Sequence, residues 1–410
     1  MEGCVTHKGF YRSWILVVCT ALIVRAAGNI FLPSLSYMAA DLKVNEADAT
    51  SNLKFYYAIL ALSYILMGPV CDRYPKSKLL RAGLAGCAIG CIFSALAPNI
   101  HVLNAGRSIQ ALSAGATMLS SQLWIGEHSD KKKMLGHLSW FSMAVALAPL
   151  LSPVLGGCIA DWLSWRYDFW LTVALSIPVY LLALGLPKEN QPMPDKHNRI
   201  SLRSIFTGYK KVLLHSPLER MSLSIQALFW GQSCFIAISS FLFINEMGLN
   251  ATQLGFLNIL FVCGLLAGRF PALYLHKRYS VRTAFMVNAA FAAVTSAMPL
   301  AYYFLMGHHD LVEIALLYTL QCIAFGGLSV IGIRNCIVVG KENKGSATGL
   351  YHFSNQLFSW LGVVFAQHLY RMEFSSVGIF QCMEGVILIL SLAGIVLFRR
   401  AYSRHKDLIE

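Results

Sequence analysis

Residues 68–78 read Gly68-Pro-Val-Cys-Asp72-Arg73-Tyr-Pro-Lys76-Ser-Lys78. This short charged turn is wedged between two apolar segments, 49–70 and 79–97. Each is long enough to cross the roughly 30 Å hydrocarbon layer of a bilayer as a helix. A soluble domain has no use for a charged hairpin between two such segments. In lipid, helices satisfy their own backbone polar groups, and a charged turn joining two of them marks the water boundary.

The rest of the chain repeats the pattern. Of 410 residues, 56% are hydrophobic and 13% charged, where soluble domains carry about 25% charged residues. Twelve apolar segments are expected to span: 14–38, 49–70, 79–97, 101–124, 135–160, 167–187, 218–245, 252–275, 283–306, 311–339, 345–369 and 376–398. The first is too long for a signal-peptide core and has no small-residue cleavage site, so it reads as a retained span. A longer connection, 188–217, divides the chain into six spans (1–187) and six more (218–410). Within it Leu202, Ile205, Phe206, Tyr209, Val212 and Leu213 recur at helical spacing beside Arg203, Lys210 and Lys211, which predicts an amphipathic helix on an anionic membrane surface. The fold class is therefore an all-α membrane protein of twelve transmembrane helices in two pseudo-symmetric six-helix bundles.

Charge sets the expected direction. Lys8, Arg12, Arg73, Lys76, Lys78, Arg81 and most other cations lie at the N-terminus, after even-numbered spans or in the tail. The opposite loops and adjoining span ends hold only Lys43, Lys54, Arg166 and Arg371. Cations concentrate on the cytoplasmic side of membrane proteins, so both termini are expected in the cytoplasm. The net charge of +13 is dispersed among short loops rather than gathered on one face, which excludes a nucleic-acid-binding domain. Eleven cysteines are scattered without Cys-x-x-Cys spacing, and neither a metal site nor a disulfide framework is expected.

Three motifs carry a family resemblance. The 68–78 turn resembles the signature between spans two and three of the major facilitator superfamily, Gly-x-x-x-Asp-Arg-x-Gly-Arg-Lys. Gly68, Asp72, Arg73, Lys76 and Lys78 match in type, and Pro75 replaces a glycine. The resemblance implies a conformational latch made by Gly68, Asp72, Arg73 and Lys76. Arg107 and Gln110 in span four resemble the family's Arg-x-x-Gln-Gly, with Ala111 in place of the glycine. Pro149-Leu-Leu-Ser-Pro153-Val-Leu-Gly156-Gly157 in span five is similar to the Gly-x-x-x-Gly-Pro-x-x-Gly-Gly motif of drug/proton antiporters. Pro149 and Pro153 each remove a helix donor, and Gly156 and Gly157 admit a close neighbour. Together they imply a hinge at the bundle interface.

Span one adds Asn29-Ile-Phe-Leu-Pro33-Ser-Leu35 and then Ala39-Ala40-Asp41-Leu42. This resembles Bcr/CflA-type drug-resistance transporters, whose first span reads Asp-x-Tyr-Leu-Pro-Ala-Leu-Pro. The family's acid aligns with Asn29, which carries no proton, and Arg25 stands one turn earlier. Burial favours the neutral form of a carboxyl, as a reversible proton carrier requires. Glu384, two turns into the last span, is the most internal carboxyl. It either carries the coupled proton or pairs with a cation such as Arg371. Arg25, Asn29, Arg107, Gln110 and Glu384 are thus the candidates for proton and substrate coupling. Tyr37, Trp140, Gln226, Trp230, Gln356 and Trp360 are candidates for the substrate cavity.

The resemblance implies a secondary transporter working by alternating access. Its expected activity is proton-coupled efflux of drugs or small metabolites across a bacterial inner membrane. The alternative is a narrower exporter of an anionic metabolite, such as a carboxylate siderophore, possible without proton coupling and motivated by Arg25 and Arg107. A monomer that needs no cofactor is expected, with a small-molecule substrate, protons and the lipid bilayer as its partners. No nucleophile elbow, phosphate loop or metal cluster is legible, so an enzyme is not expected.

Overall fold

In a computed structural model the described residues, 7–129, 133–186, 218–339 and 344–404, are almost wholly helical. The order is α1 (His7–Ala27), a 3-10 turn (Leu32–Ser34), α2 (Leu35–Asp41), α3 (Glu46–Arg73), α4 (Lys76–Ala95), α5 (Ile100–His128), α6 (Met134–Trp162) and α7 (Arg166–Ala183). Then come α8 (Leu218–Ser240) with a π turn (Phe241–Glu246), α9 (Ala251–Ala267), α10 (Arg269–Arg278), α11 (Val281–Met306), α12 (Leu311–Val339), α13 (Lys344–Arg371) and α14 (Ser376–Arg404). The expected linker helix at 202–213 lies outside the described residues.

Local chemistry sets the ends. Asn45 and Asn99 cap α3 and α5 by accepting from Asp48 N at 2.7 Å and Val102 N at 3.0 Å. Asn250 and Gln253 form a reciprocal capping box on α9. Gly307, at φ +75°, ends α11 in the left-handed region that glycine enters without strain. Pro33 interrupts the first span, because proline supplies no backbone donor.

The twelve expected spans are all present as helices. The first is broken between α1 and α2, and the eighth between α9 and α10 at Gly268. Eight of them are apolar enough to be recognised as spans by composition alone. Of the remaining spans, α3, α5 and α13 are the more polar ones, whereas α7 is apolar but short, with Arg166 and Asp168 in its first turn. α5 carries Asn104, Arg107 and Gln110, and α13 carries His352, Asn355, Gln356 and Gln367.

The two halves repeat each other's packing. In the first half α4 packs on α5 and α7, α3 on α5, and α1 on α6 and α7. In the second, α11 packs on α12 and α14, the α9 span on α12, and α8 on α13 and α14. Span for span, these are the same neighbours. Even a detail recurs. Asp41, ending the first span, binds Arg166 and accepts from Trp165 Nε1 at 3.1 Å at the start of the sixth. Glu246, ending the seventh, accepts from Ser376 N at 2.6 Å at the start of the twelfth. The halves meet along two seams, α6 against α9 and α3 against α13.

Candidate functional site

Alternation of the helices puts His7 and Arg404 at one end of the molecule. At the opposite end, here the far end, hydrogen bonds join the halves. Asp161, at the end of α6, accepts from Thr252 N at 2.8 Å and from Ala251 N at 3.2 Å, the first residues of α9. Tyr37 donates to the same carboxylate at 2.8 Å. Tyr37 therefore belongs to this clasp, not to an open cavity. Ser240 Oγ donates to Pro33 O at 3.0 Å and accepts from Ser36 N at 3.0 Å. Gln367 Nε2 donates to Ala47 O at 2.8 Å.

The proline–glycine motif of α6 lies in the same seam. Both prolines sit inside a continuous helix. The faces of Gly156 and Gly157 touch the backbones of Ile30 and Ala251 with no room for a Cβ. From the other side, a Cβ on Gly255 would stand 2.6 Å from Pro153 O. Small residues let two helix backbones approach this closely.

The latch motif is only partly visible. Gly68 to Arg73 form the last turns of α3, but the side chains of Asp72 and Arg73 lie outside the described residues. Lys76 is buried and bonds Glu127 at 2.7 Å, on α5 of its own half.

Arg107 is fully enclosed. It donates to Ala27 O at 3.1 Å, to Asn52 Oδ1 at 3.3 Å and to Gln110. Its guanidinium stacks over Phe31 at 4.0 Å and Tyr56 at 4.4 Å. This arginine ties α1, α3 and α5 together through neutral acceptors and π faces, which desolvated arginine favours over further charge. Gln110 is part of the same knot and also donates to Cys91 Sγ at 3.2 Å.

Arg25 differs. It is half-buried and makes no ion pair with a carboxylate among the described residues. Its charge acts on Tyr56, Tyr57 and Tyr64 of α3 and on His352 of α13. Tyr64 and His352 stack across the halves with centroids 5.2 Å apart. Asn29 is explained by its own bond: its amide donates to Arg25 O at 2.7 Å. A carboxylate at that position would have no hydrogen to give. The amide thus supports the helix where α1 breaks.

Glu384 is buried in α14, 1% exposed. Gln321 of α12 donates to its Oε2 at 2.8 Å and to Ser296 of α11 at 3.0 Å. The bonded partner is therefore a neutral amide and not Arg371.

The cavity candidates separate. Gln226 bonds Ser354 between α8 and α13. Trp230 is buried against Phe365, centroids 4.9 Å apart. Gln356 keeps a buried oxygen without a partner, and Trp360 is half-buried. Trp140 stands apart. It is 62% exposed and continues the stripe Met143, Leu147, Leu151 and Leu155 along α6. That spacing makes one exposed apolar helix face. His352 and Tyr64 went unread because a lone sequence does not show that α3 and α13 are neighbours, although a histidine inside a span was itself a signal.

The major facilitator superfamily profile matches residues 17–363. The chain belongs to the major facilitator superfamily. Within that superfamily it is similar to the chloramphenicol resistance protein CraA of Acinetobacter baumannii, 23% identical over 65% of this chain and 64% of that protein. It is also similar to the multidrug resistance protein MdtL of Escherichia fergusonii, 29% identical over 48% of this chain and 51% of the other. Multidrug resistance protein D of Escherichia coli is 23% identical over 65% of this chain and 66% of its own. The chain thus spans less than two thirds of these relatives' length. Among solved structures, the fold is shared with a peptide transporter in complex with sulfate, TM-score 0.77 at 17% identity, covering 97% of this chain and 96% of that one. It is also shared with a bacterial homologue of the lysosomal transporter Spinster in an inward-facing state, TM-score 0.73 at 15% identity, covering 97% and 98%. The superfamily fold makes the chain a multi-pass, all-helical membrane protein.

Proposed function

We propose that this transporter exports small molecules by alternating access, driven by protons moving the other way through Glu384, across a bacterial inner membrane. The observation that carries the reading is the far-end seam. Two pseudo-symmetric halves meet there through glycine faces and a few hydrogen bonds, Asp161 on α9, Ser240 on Pro33 and Gln367 on Ala47. Such bonds break and re-form as units when two halves rock about a central site. Gly156, Gly157, Pro149 and Pro153 act as the flexing surface, and Asp72 and Arg73 act at the opposite end.

Proton drive is supported by Glu384, enclosed in the second half with an amide for its partner. A carboxyl held by an amide can bind and release a proton without breaking an ion pair. The drug-export direction is supported by the similarity to the three resistance proteins.

Arg25 favours a second reading of the cargo. A half-buried cation whose charge reaches three tyrosines and a histidine, and which forms no ion pair with a described carboxylate, suits an anionic aromatic compound. The test is transport by the purified protein in proteoliposomes. Chloramphenicol and a panel of aromatic carboxylates are offered with and without an imposed pH gradient. Gradient-stimulated movement of either class supports coupling, and equal movement without the gradient removes it.

A further inference from the structure

The first half encloses a charge that the described residues do not balance. Arg107 is fully buried, and no carboxylate among them pairs with it. The titratable side chains that act on it, Tyr56, Tyr57, Cys87 and Cys91, are phenols and thiols. Phe31 and Tyr56 cover the guanidinium at 4.0 and 4.4 Å. Ala27 O and Gln110 accept from Nη1, and Asn52 Oδ1 accepts from Nε. These partners seat the group, but none carries a full negative charge. A buried carboxyl or amine sheds its charge by titrating, whereas a guanidinium keeps its proton. A buried charge left without a counter-charge is strongly destabilising.

Two bare donors mark where the counter-charge belongs. Arg107 Nη2 is buried with no partner, and so is Asn52 Nδ2. Asn52 is itself 0% exposed. Nη2 shares with Nε the edge of the guanidinium that grips anions as a fork. Here the Nε side of that fork holds Asn52 Oδ1 at 3.3 Å, and Asn52 Nδ2 hangs from the same amide carbon. Two unused donors therefore belong to the two groups joined by one hydrogen bond, and a settled core does not leave such donors empty. A third bare atom, Asn104 Oδ1, is an acceptor one turn earlier on α5, on an amide that donates to Ser51 Oγ at 2.9 Å. Water on the two donors would complete their hydrogen bonds and leave the charge. An anion completes both.

We propose that Arg107 Nη2 and Asn52 Nδ2 bind a small monovalent inorganic anion of the chloride class, enclosed between α3 and α5. The anion is structural and is not the cargo. It balances the guanidinium and so holds the packing of α3 and α5 on the end of span one, which contributes Ala27 O and Phe31 beside its break. The site does not depend on whether Glu384 carries the coupled proton.

The test uses chloride itself. The intact protein is purified from lysis onward in chloride or in gluconate at equal ionic strength, and its thermal midpoint is read in each. A ligand that binds only the folded state raises the midpoint with its concentration. Chloride and bromide are expected to raise it by several degrees over gluconate, an anion too large for the enclosure. Asn52→Asp keeps the oxygen that accepts from Nε and adds a fixed negative charge. Its midpoint in gluconate is expected to match that of wild type in chloride, with no further rise on adding chloride. Arg107→Met, which has no charge to balance, is expected to lose the chloride response from a lower starting midpoint. Equal wild-type midpoints in chloride and gluconate overturn the site and leave water on the two donors. A chloride response that persists undiminished in Asn52→Asp or in Arg107→Met also overturns it, as a general effect of salt.

Discussion

Asp161 and Thr252 are joined across the halves by a 2.8 Å hydrogen bond from the first turn of α9 to the last turn of α6. The carboxylate sits where a helix N-terminus presents unpaired N–H groups and the positive end of its dipole. Charge-assisted bonds of this kind are worth roughly 1.5–3 kcal/mol each. Asp161→Ala removes two of them along with the Tyr37 contact. We expect at least a tenfold shift away from far-end closure, read as faster thiol labelling of a cysteine placed at Ser240. Labelling unchanged from wild type would show that the clasp does not hold the gate.

Gly157 tests the seam sterically. A side chain there meets the Ala251 backbone, which has no flexible end to move aside. Gly157→Val is expected to keep the halves apart at the far end and to cut transport more than tenfold, while expression and elution stay normal. Wild-type flux would mean the seam does not close in the cycle.

How much of this was open to sequence reading depends on range. The twelve helical spans rest on local pattern and were legible. Trp140 shares an exposed face of α6 with Met143 and Leu147, a register that aromatic character alone does not reveal. Asp161, Gln367, Tyr64 and His352 gain meaning from partners 90 to more than 300 residues away, and no local signal carries that. Asn29 was noticed as a departure, but its bond to Arg25 O depends on the helix break beside it.

Arg107 is expected to behave as a structural residue. Arg107→Met leaves Ala27 O, Asn52 Oδ1 and Gln110 short of a donor, each at a cost of about 1–3 kcal/mol. The thermal midpoint in detergent should fall by several degrees. Arg25→Ala should leave that midpoint near wild type and weaken binding of aromatic carboxylates about 10- to 100-fold, with neutral chloramphenicol little affected. Equal loss for both ligand classes would remove the charge argument.

The far end should also respond to pH. Burial, and then the neighbouring Glu246 charge, hold the Glu46 carboxyl above its ordinary value. The closed arrangement therefore binds this proton more tightly than an open one. Closure is helped fully below the ordinary pKa of about 4.3, and that help is lost as pH rises through the raised value. Glu46→Gln should flatten the pH dependence of far-side thiol labelling and favour closure at neutral pH. An unaltered profile would show that Glu46 does not contribute.

The most direct measurement is cargo-driven proton movement in proteoliposomes, wild type beside Glu384→Gln, with chloramphenicol and an aromatic carboxylate as cargo. The account predicts that outward cargo flux moves protons inward in wild type. It predicts that Glu384→Gln abolishes the proton signal while cargo exchange without a gradient continues. Proton movement that survives in Glu384→Gln, or wild-type cargo flux with no proton movement, would contradict it.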